Sequence, residues 1–289
     1  MQDVEYPALF AAADAASVSG QRWYARLVEL DLGLILVAAL AGGLSSMGPN
    51  NWRQLCAVVA AITVGTAAIL RWVNRAMRRD KTWFDGRTVA ESVKTASWRY
   101  MMRVDRFAGD DGAAEKDFVD ELKDILKARS ELTLDVSKSV DSQITPGMQR
   151  VRALAFDARK SFYIENRVQN QVSWYSGRAA LHRRRATTWF LVGIGAEVIA
   201  VVLAVIRAVK PETVNLIGFL TSLAAGATAF GQLQRNDELT RSYALAAQEL
   251  LLIKSLLSSC NDESDFEELV KSSEGAISRE HTMWIAKRS

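Results

Sequence analysis

The chain has little of what catalytic and disulfide-stapled proteins use. Its 289 residues include only two cysteines, two histidines and four prolines. Cys56 and Cys260 show neither disulfide-framework nor metal-site spacing, and lone thiols suit a reducing compartment. His182 and His281 have no ligand-spaced neighbours, so a structural role is favoured for each. There is no Walker loop, no zinc spacing and no Gly-x-Ser-x-Gly elbow. The paired aspartates of "FAGDDG" (107–112) lack the oxygen-ligand period of a calcium loop and read as a turn with a helix cap. No catalytic residue, metal or cofactor is therefore expected, and the chain is not expected to be an enzyme. The first ten residues, "MQDVEYPALF", lack the basic, apolar and small-residue blocks of a signal peptide. Period-two alternation of β-branched residues is almost missing, which argues against sheet.

Ala, Leu, Glu, Lys and Arg dominate instead, so helix is favoured nearly throughout. Four apolar runs stand out: 32–47, 55–70, 186–206 and 213–233. A spanning helix needs about 20 apolar residues, with a lower limit near 17. The second pair meets this, and the first meets it when Leu30 and the Arg71-Trp72-Val73 end are included, with Arg71 snorkelling. "GPNNWR" (48–53) and "RAVKPET" (207–213) are tight turns, so each pair forms an antiparallel hairpin. The expected fold is all-α: an integral membrane protein with two transmembrane helical hairpins, about 30–73 and 186–233, making four spans, plus a cytoplasmic helical bundle. Arginines and lysines crowd the flanks outside the turns, which predicts a multi-pass membrane protein with both termini cytoplasmic.

The halves echo one another. Trp23-Tyr24 precede the first hairpin and Trp174-Tyr175 the second, where amphipathic rings are favoured at a membrane surface. Each hairpin is followed by a polar helix, "WFDGRTVAESVKTASWRYMMR" (83–103) or "LTRSYALAAQELLLIKSLL" (239–257). An internal duplication with repeats 1–144 and 145–289 follows. Arg183, Arg184 and Arg185 lie just before a span and read as lipid-headgroup anchors; without an aromatic stacking platform they do not suggest nucleic acid. Small residues at Gly42-Gly43, Ala61 with Gly65, Gly193-x-Gly195 and Ser222 with Gly226 suit close helix packing.

Polar residues supply two candidate sites. Arg87, Glu91 and Lys94 share one helix face with Trp98. Tyr163, Arg167, Gln171 and Tyr175 form an i, i+4 ladder that faces it in the expected bundle, with Glu249 from the second repeat. A buried structural network is favoured over a ligand pocket. Glu197 lies near the middle of the third run, where a charge costs at least about 2.5–3.5 kcal/mol. Thr221, Ser222 and Thr63 fall at similar depth. Glu197 either donates a hydrogen bond to one of these hydroxyls or lines a water-filled path. Leu239, Tyr243, Ala246, Leu250, Ile253 and Leu257 form one heptad-like seam, and Phe118, Leu122, Ile125, Arg129, Leu132 and Val136 another. Thr145-Pro146 reads as the cap and first turn of a long helix, and Ser264 with Glu267 as a capping box.

The block "WFDGRTVAESVKTASWRYM", the pairing of "WYSGRA" with a basic run and a hairpin, and the closing "REHTMWIAKR" resemble the SLATT family. These are two-transmembrane effector domains encoded beside nucleotide-second-messenger synthases (SMODS) and SLOG ligand sensors in bacteria. The chain looks like two SLATT subtypes in tandem. The resemblance implies a membrane effector of a conflict or antiviral system that oligomerises and forms a pore or disrupts the inner membrane when a sensor signals. The implied partners are the lipid bilayer, further copies of the chain, and a second-messenger synthase or SLOG-type sensor. The family fixes no catalytic residues. The alternative is a passive membrane scaffold that places a signalling partner without conducting.

Overall fold

The structure is a computed structural model describing residues 5–135, 142–211, 213 and 215–286, with side-chain exposure described as far as residue 278. Val136 of the second predicted seam, His281 and the side chains of the closing "REHTMWIAKR" segment lie outside these. All regular structure among the described residues is helical. The helices are α1 (Ala8–Leu44), α2 (Asn50–Met77), α3 (Arg79–Met102), α4 (Asp111–Lys127), α5 (Pro146–Arg152), α6 (Phe156–Tyr163), α7 (Gln169–Val209), α8 (Ile217–Leu233), α9 (Asn236–Ser259) and α10 (Glu263–Ala286). The chain divides into two compact units. One, here the polar unit, takes residues 1–21, 80–179 and 241–289; the other, the apolar unit, takes 22–79 and 180–240.

Two helix pairs build the apolar unit. In the first, Trp52 Nε1 donates to the Leu44 carbonyl at 3.0 Å near the turn, and Arg71 Nε donates to Asp31 at 2.9 Å toward the other end. These contacts set α1 and α2 antiparallel. Arg71 therefore closes an ion pair with its own hairpin. In the second pair, Trp189 meets Phe230 at 4.8 Å, and Ala196 and Ala200 pack with Leu220 and Ala224. The small side chains let α7 and α8 approach closely. Gly43 is required where it stands: a Cβ there would lie 2.6 Å from the Asn215 carbonyl oxygen.

Among the described residues, three helical stretches, rather than four, are long and apolar enough to cross a membrane; they lie in Ala8–Met47, Asn50–Met102 and Phe156–Val209. The fourth predicted span shortens because Thr213 N–H and Oγ1 both bond the Lys210 carbonyl, which spends the start of the run on a turn. Helix α8 then covers 17 residues. At 1.5 Å per residue that is roughly 26 Å, against a hydrocarbon core of about 30 Å. The longer helices exceed any span, so only their apolar stretches qualify, and the residues of the polar unit lie outside those stretches. The most apolar windows are just 11%, 11% and 17% buried by the rest of the chain. Ile62, Phe190 and Val201 are more than 60% exposed. Each such side chain left in water forgoes about 1.5–3 kcal/mol, so a run of them requires lipid or protein cover.

Both second helices end alike. Arg78 follows α2 with φ 45° and Arg235 follows α8 with φ 50°, each in the left-handed region before the next helix begins. That conformation is unusual for a residue with a Cβ, and its recurrence at matching places supports the duplication.

The polar unit holds a close-packed core that includes Trp98, Tyr100, Met101, Phe107 and Phe118, all at 0–1% exposure. Asp110 caps α4 through the Ala113 N–H, and Thr145 caps α5 through the Met148 N–H. Helix α5 ends at Arg152 instead of running on: the Ala153 and Leu154 N–H groups turn back to the carbonyls of Gln149 and Val151, and the Arg152 guanidinium reaches the carbonyls of Tyr100, Phe107 and Gly109. Asp262, not Ser264, caps α10, accepting from the N–H groups of Ser264 and Asp265. Glu267 instead accepts from the Asp105 N–H. The α9 seam is internal: Tyr243, Ala246, Leu250, Ile253 and Leu257 are buried. In the α4 seam, Phe118 and Leu122 are buried while Ile125 is half-buried.

Candidate functional site

A π-helical turn at Ile164–Val168 joins α6 to α7. Such turns insert one extra residue into the helical register. Around it, Tyr163 and Arg167 point into the core of the polar unit and meet Glu274 from α10. Arg167 Nε donates to Glu274 Oε1 at 2.9 Å and Nη2 to Oε2 at 2.6 Å. Tyr163 Oη donates to Oε1 and Thr95 Oγ1 to Oε2, both at 3.0 Å. The two charged side chains are 1% and 2% exposed. The Trp98 ring lies 5.9 Å from the guanidinium, and Trp98 Nε1 donates to Tyr6 Oη at 3.0 Å. Burial would push the Arg167 pKa down, but the Glu274 charge and its hydrogen bonds prevail and raise it. Burial, then the Glu274 charge, raise the Tyr163 pKa. Four donors thus satisfy the Glu274 carboxylate, as a buried charge requires, while Arg167 Nη1 has no hydrogen-bond partner among the described residues.

Beside this cluster lies a cavity of about 320 Å³. Trp83, Arg87, Glu91 and Lys94 of α3 form one wall. Asp14 of α1 and Asn170, Gln171, Trp174 and Tyr175 of α7 line it from other sides. Gly86 fixes the spacing of α1 and α3 at one end, since a Cβ there would sit 2.9 Å from Ser17 N and 3.0 Å from the Ala13 carbonyl. Lys94 Nζ lies 5.6 Å from the Tyr6 ring centroid. Burial first, then the neighbouring Arg167 charge, hold the Lys94 pKa below its ordinary range.

The apolar unit carries a groove of about 390 Å³ between α7 and α8, lined by Trp189, Gly193, Glu197, Ala227, Thr228 and Arg235 among others. Glu197 is exposed in the single chain. The hydroxyls expected beside it turn to their own helices: Thr63 donates to Val59 and Ala60, and Thr221 to Ile217 and Gly218. Ser222 is half-buried on α8.

Two family profiles match the chain. "SMODS and SLOG-associating 2TM effector domain 3" matches residues 7–160, and "SMODS and SLOG-associating 2TM effector domain 1" matches residues 163–284. The chain belongs to the SLATT family. No curated protein and no solved structure matches it. The tandem SLATT domains do not coincide with the compact units, because each matched stretch supplies a helix pair to the apolar unit and flanking helices to the polar unit.

Of the residues singled out in this SLATT chain, Tyr163 and Arg167 meet at Glu274 with Trp98 packed against both, while Arg87, Glu91, Lys94, Gln171, Trp174 and Tyr175 gather around the cavity. Tyr175 is buried against Tyr243, 5.8 Å between ring centroids. Glu249 is half-buried on α9. Trp23 is exposed and Tyr24 half-buried, and Arg183, Arg184 and Arg185 are all exposed. Sequence reasoning missed Glu274, Thr95, Tyr6 and Asp14. Glu274 is 107 residues from Arg167 and sits in "KSSEGAIS", where no periodicity marks it as a partner.

Proposed function

We propose that this tandem SLATT protein is a membrane effector that oligomerises and opens a pore in the bacterial inner membrane when a SMODS- or SLOG-linked partner signals. The observation that carries the reading is the near-bare state of the apolar helices, together with a carboxylate, Glu197, exposed in the middle of one of them. A charge at that depth seldom faces hydrocarbon. Copies packed around a shared path would cover the apolar faces and leave Glu197 to water. The second helix pair crosses as one body, α8 carried by its packing on α7. Both termini and the polar unit then lie on the cytoplasmic side, in accord with the arginine-rich flanks. The test is dye and ion release from liposomes holding the purified chain. Parent protein that releases the cargo, and Glu197→Gln protein that assembles but releases less or with altered cation preference, supports the proposal. A chain that assembles without any release, with or without its partner, favours the scaffold.

A further inference from the structure

The cavity of the polar unit has a wall unlike a packing remnant. Its lining includes four charged side chains, Asp14, Arg87, Glu91 and Lys94. Arg87 and Glu91 have other engagements. Lys94 and Asp14 differ: among the described residues, no hydrogen bond or ion pair reaches either charge. Both line the same cavity. Lys94 has a ring beneath it, and the nearby carboxylate, Glu274, is already filled by Arg167, Tyr163 and Thr95. An ammonium offers three donors and no acceptor, and a carboxylate offers acceptors alone. Two indoles, Trp83 and Trp174, line the same cavity, the first 9% and the second 37% exposed. A plain anion would satisfy Lys94 and be repelled by Asp14. A plain cation would do the reverse. A molecule bearing both charges and an apolar body meets each wall with its complement, and about 320 Å³ lies within the size range of small-ligand pockets.

We propose that this cavity binds a small zwitterion, an amino acid with a bulky apolar side chain. Its carboxylate lies on Lys94 Nζ, its ammonium on the Asp14 carboxylate, and its side chain against Trp83 and Trp174. This site would give the chain a small-molecule input of its own, separate from any protein partner. The test titrates the full chain in detergent with L-phenylalanine, which leaves indole emission free to report on Trp83 and Trp174, and follows thermal unfolding in parallel. A saturable emission change and a rise in unfolding temperature are expected. Phenylalaninamide, without the carboxylate charge, and N-acetylphenylalanine, without the ammonium, should bind at least about tenfold more weakly. Asp14→Asn, a change at an exposed residue, should weaken L-phenylalanine by a similar factor while leaving the unliganded unfolding temperature unchanged. Lys94→Met should abolish the response. No saturable response at millimolar L-phenylalanine overturns the proposal, as does equal binding of the two blocked forms or full binding by Asp14→Asn. Binding is read without a leak assay. A chain that binds without conducting therefore counts against the pore alone, and one that conducts without binding counts against the cavity site alone.

Discussion

Replacing Glu274 with Gln keeps the shape of the side chain and removes its charge. Arg167 is then left at 1% exposure with no carboxylate, and it cannot shed its proton. The Gln amide also turns a donor toward one set of donors, where the carboxylate accepted from Arg167, Tyr163 and Thr95. Breaking a buried pair this way costs about 3–5 kcal/mol. At roughly 2–4 °C per kcal/mol for chains of this size, the unfolding temperature of the polar unit should fall by about 6–20 °C. The reverse deletion, Arg167→Met, should be milder. Tyr163 and Thr95 still donate to the stranded Glu274. Combining Arg167→Met with Glu274→Leu should recover much of the loss, since apolar replacement of a buried pair is often neutral. Circular dichroism melts of the four proteins in one detergent supply the comparison. A Glu274→Gln melt within about 2 °C of the parent, or strict additivity in the double variant, would mean that water reaches Arg167 and that the pair is not the buried lock described.

Other expectations follow from the same geometry. Cysteines placed at Asn50 and Lys210 should react with an impermeant maleimide from outside intact cells, and one at Gly112 should not; labelling at Gly112 would overturn the orientation. Gly43→Val should disrupt packing in the apolar unit, because the Asn215 carbonyl already occupies the space of a Cβ; unchanged assembly and thermal stability would contradict that close approach. Asp105 and Glu267 set an acid limit. Burial would raise the Asp105 pKa, but hydrogen bonds from Lys271 and Arg99 bring it below its usual 3.8, and Lys271 with the Asp105 N–H holds Glu267 below 4.5. Depressed carboxyls stabilise above their unfolded values and lose that contribution as pH falls through the folded ones, so melts should weaken below about pH 4.5 and Lys271→Met should flatten this slope. An unaltered acid slope in Lys271→Met would refute the assignment.

The helices, the turns and the hairpin pairing were legible because each leaves a local mark: an apolar run, a Gly-Pro-Asn turn, a capping Asp or Thr. Thr145 and Asp110 cap where the sequence placed them. The length of the fourth apolar helix was not legible, since nothing in the run that begins at Thr213 marks the turn that Thr213 closes on Lys210 ahead of α8. The Tyr163-Arg167-Gln171-Tyr175 ladder was visible, but the π-turn within it was not. That turn sends the first two residues to Glu274 and leaves the last two on the cavity. Glu274 and Asp14 owe their roles to helices distant in sequence, and residue spacing carries no trace of such meetings.

The interleaving of the two repeats sets an order for biosynthesis. Both apolar helix pairs are complete once residue 233 is translated, whereas Glu274 emerges 107 residues after the arginine it neutralises. Until then the polar unit lacks the acceptor for four donors and cannot close around Arg167 at low cost. Membrane insertion therefore precedes closure. A nascent chain stopped short of Glu274 should be found inserted, with its polar helices still open to protease.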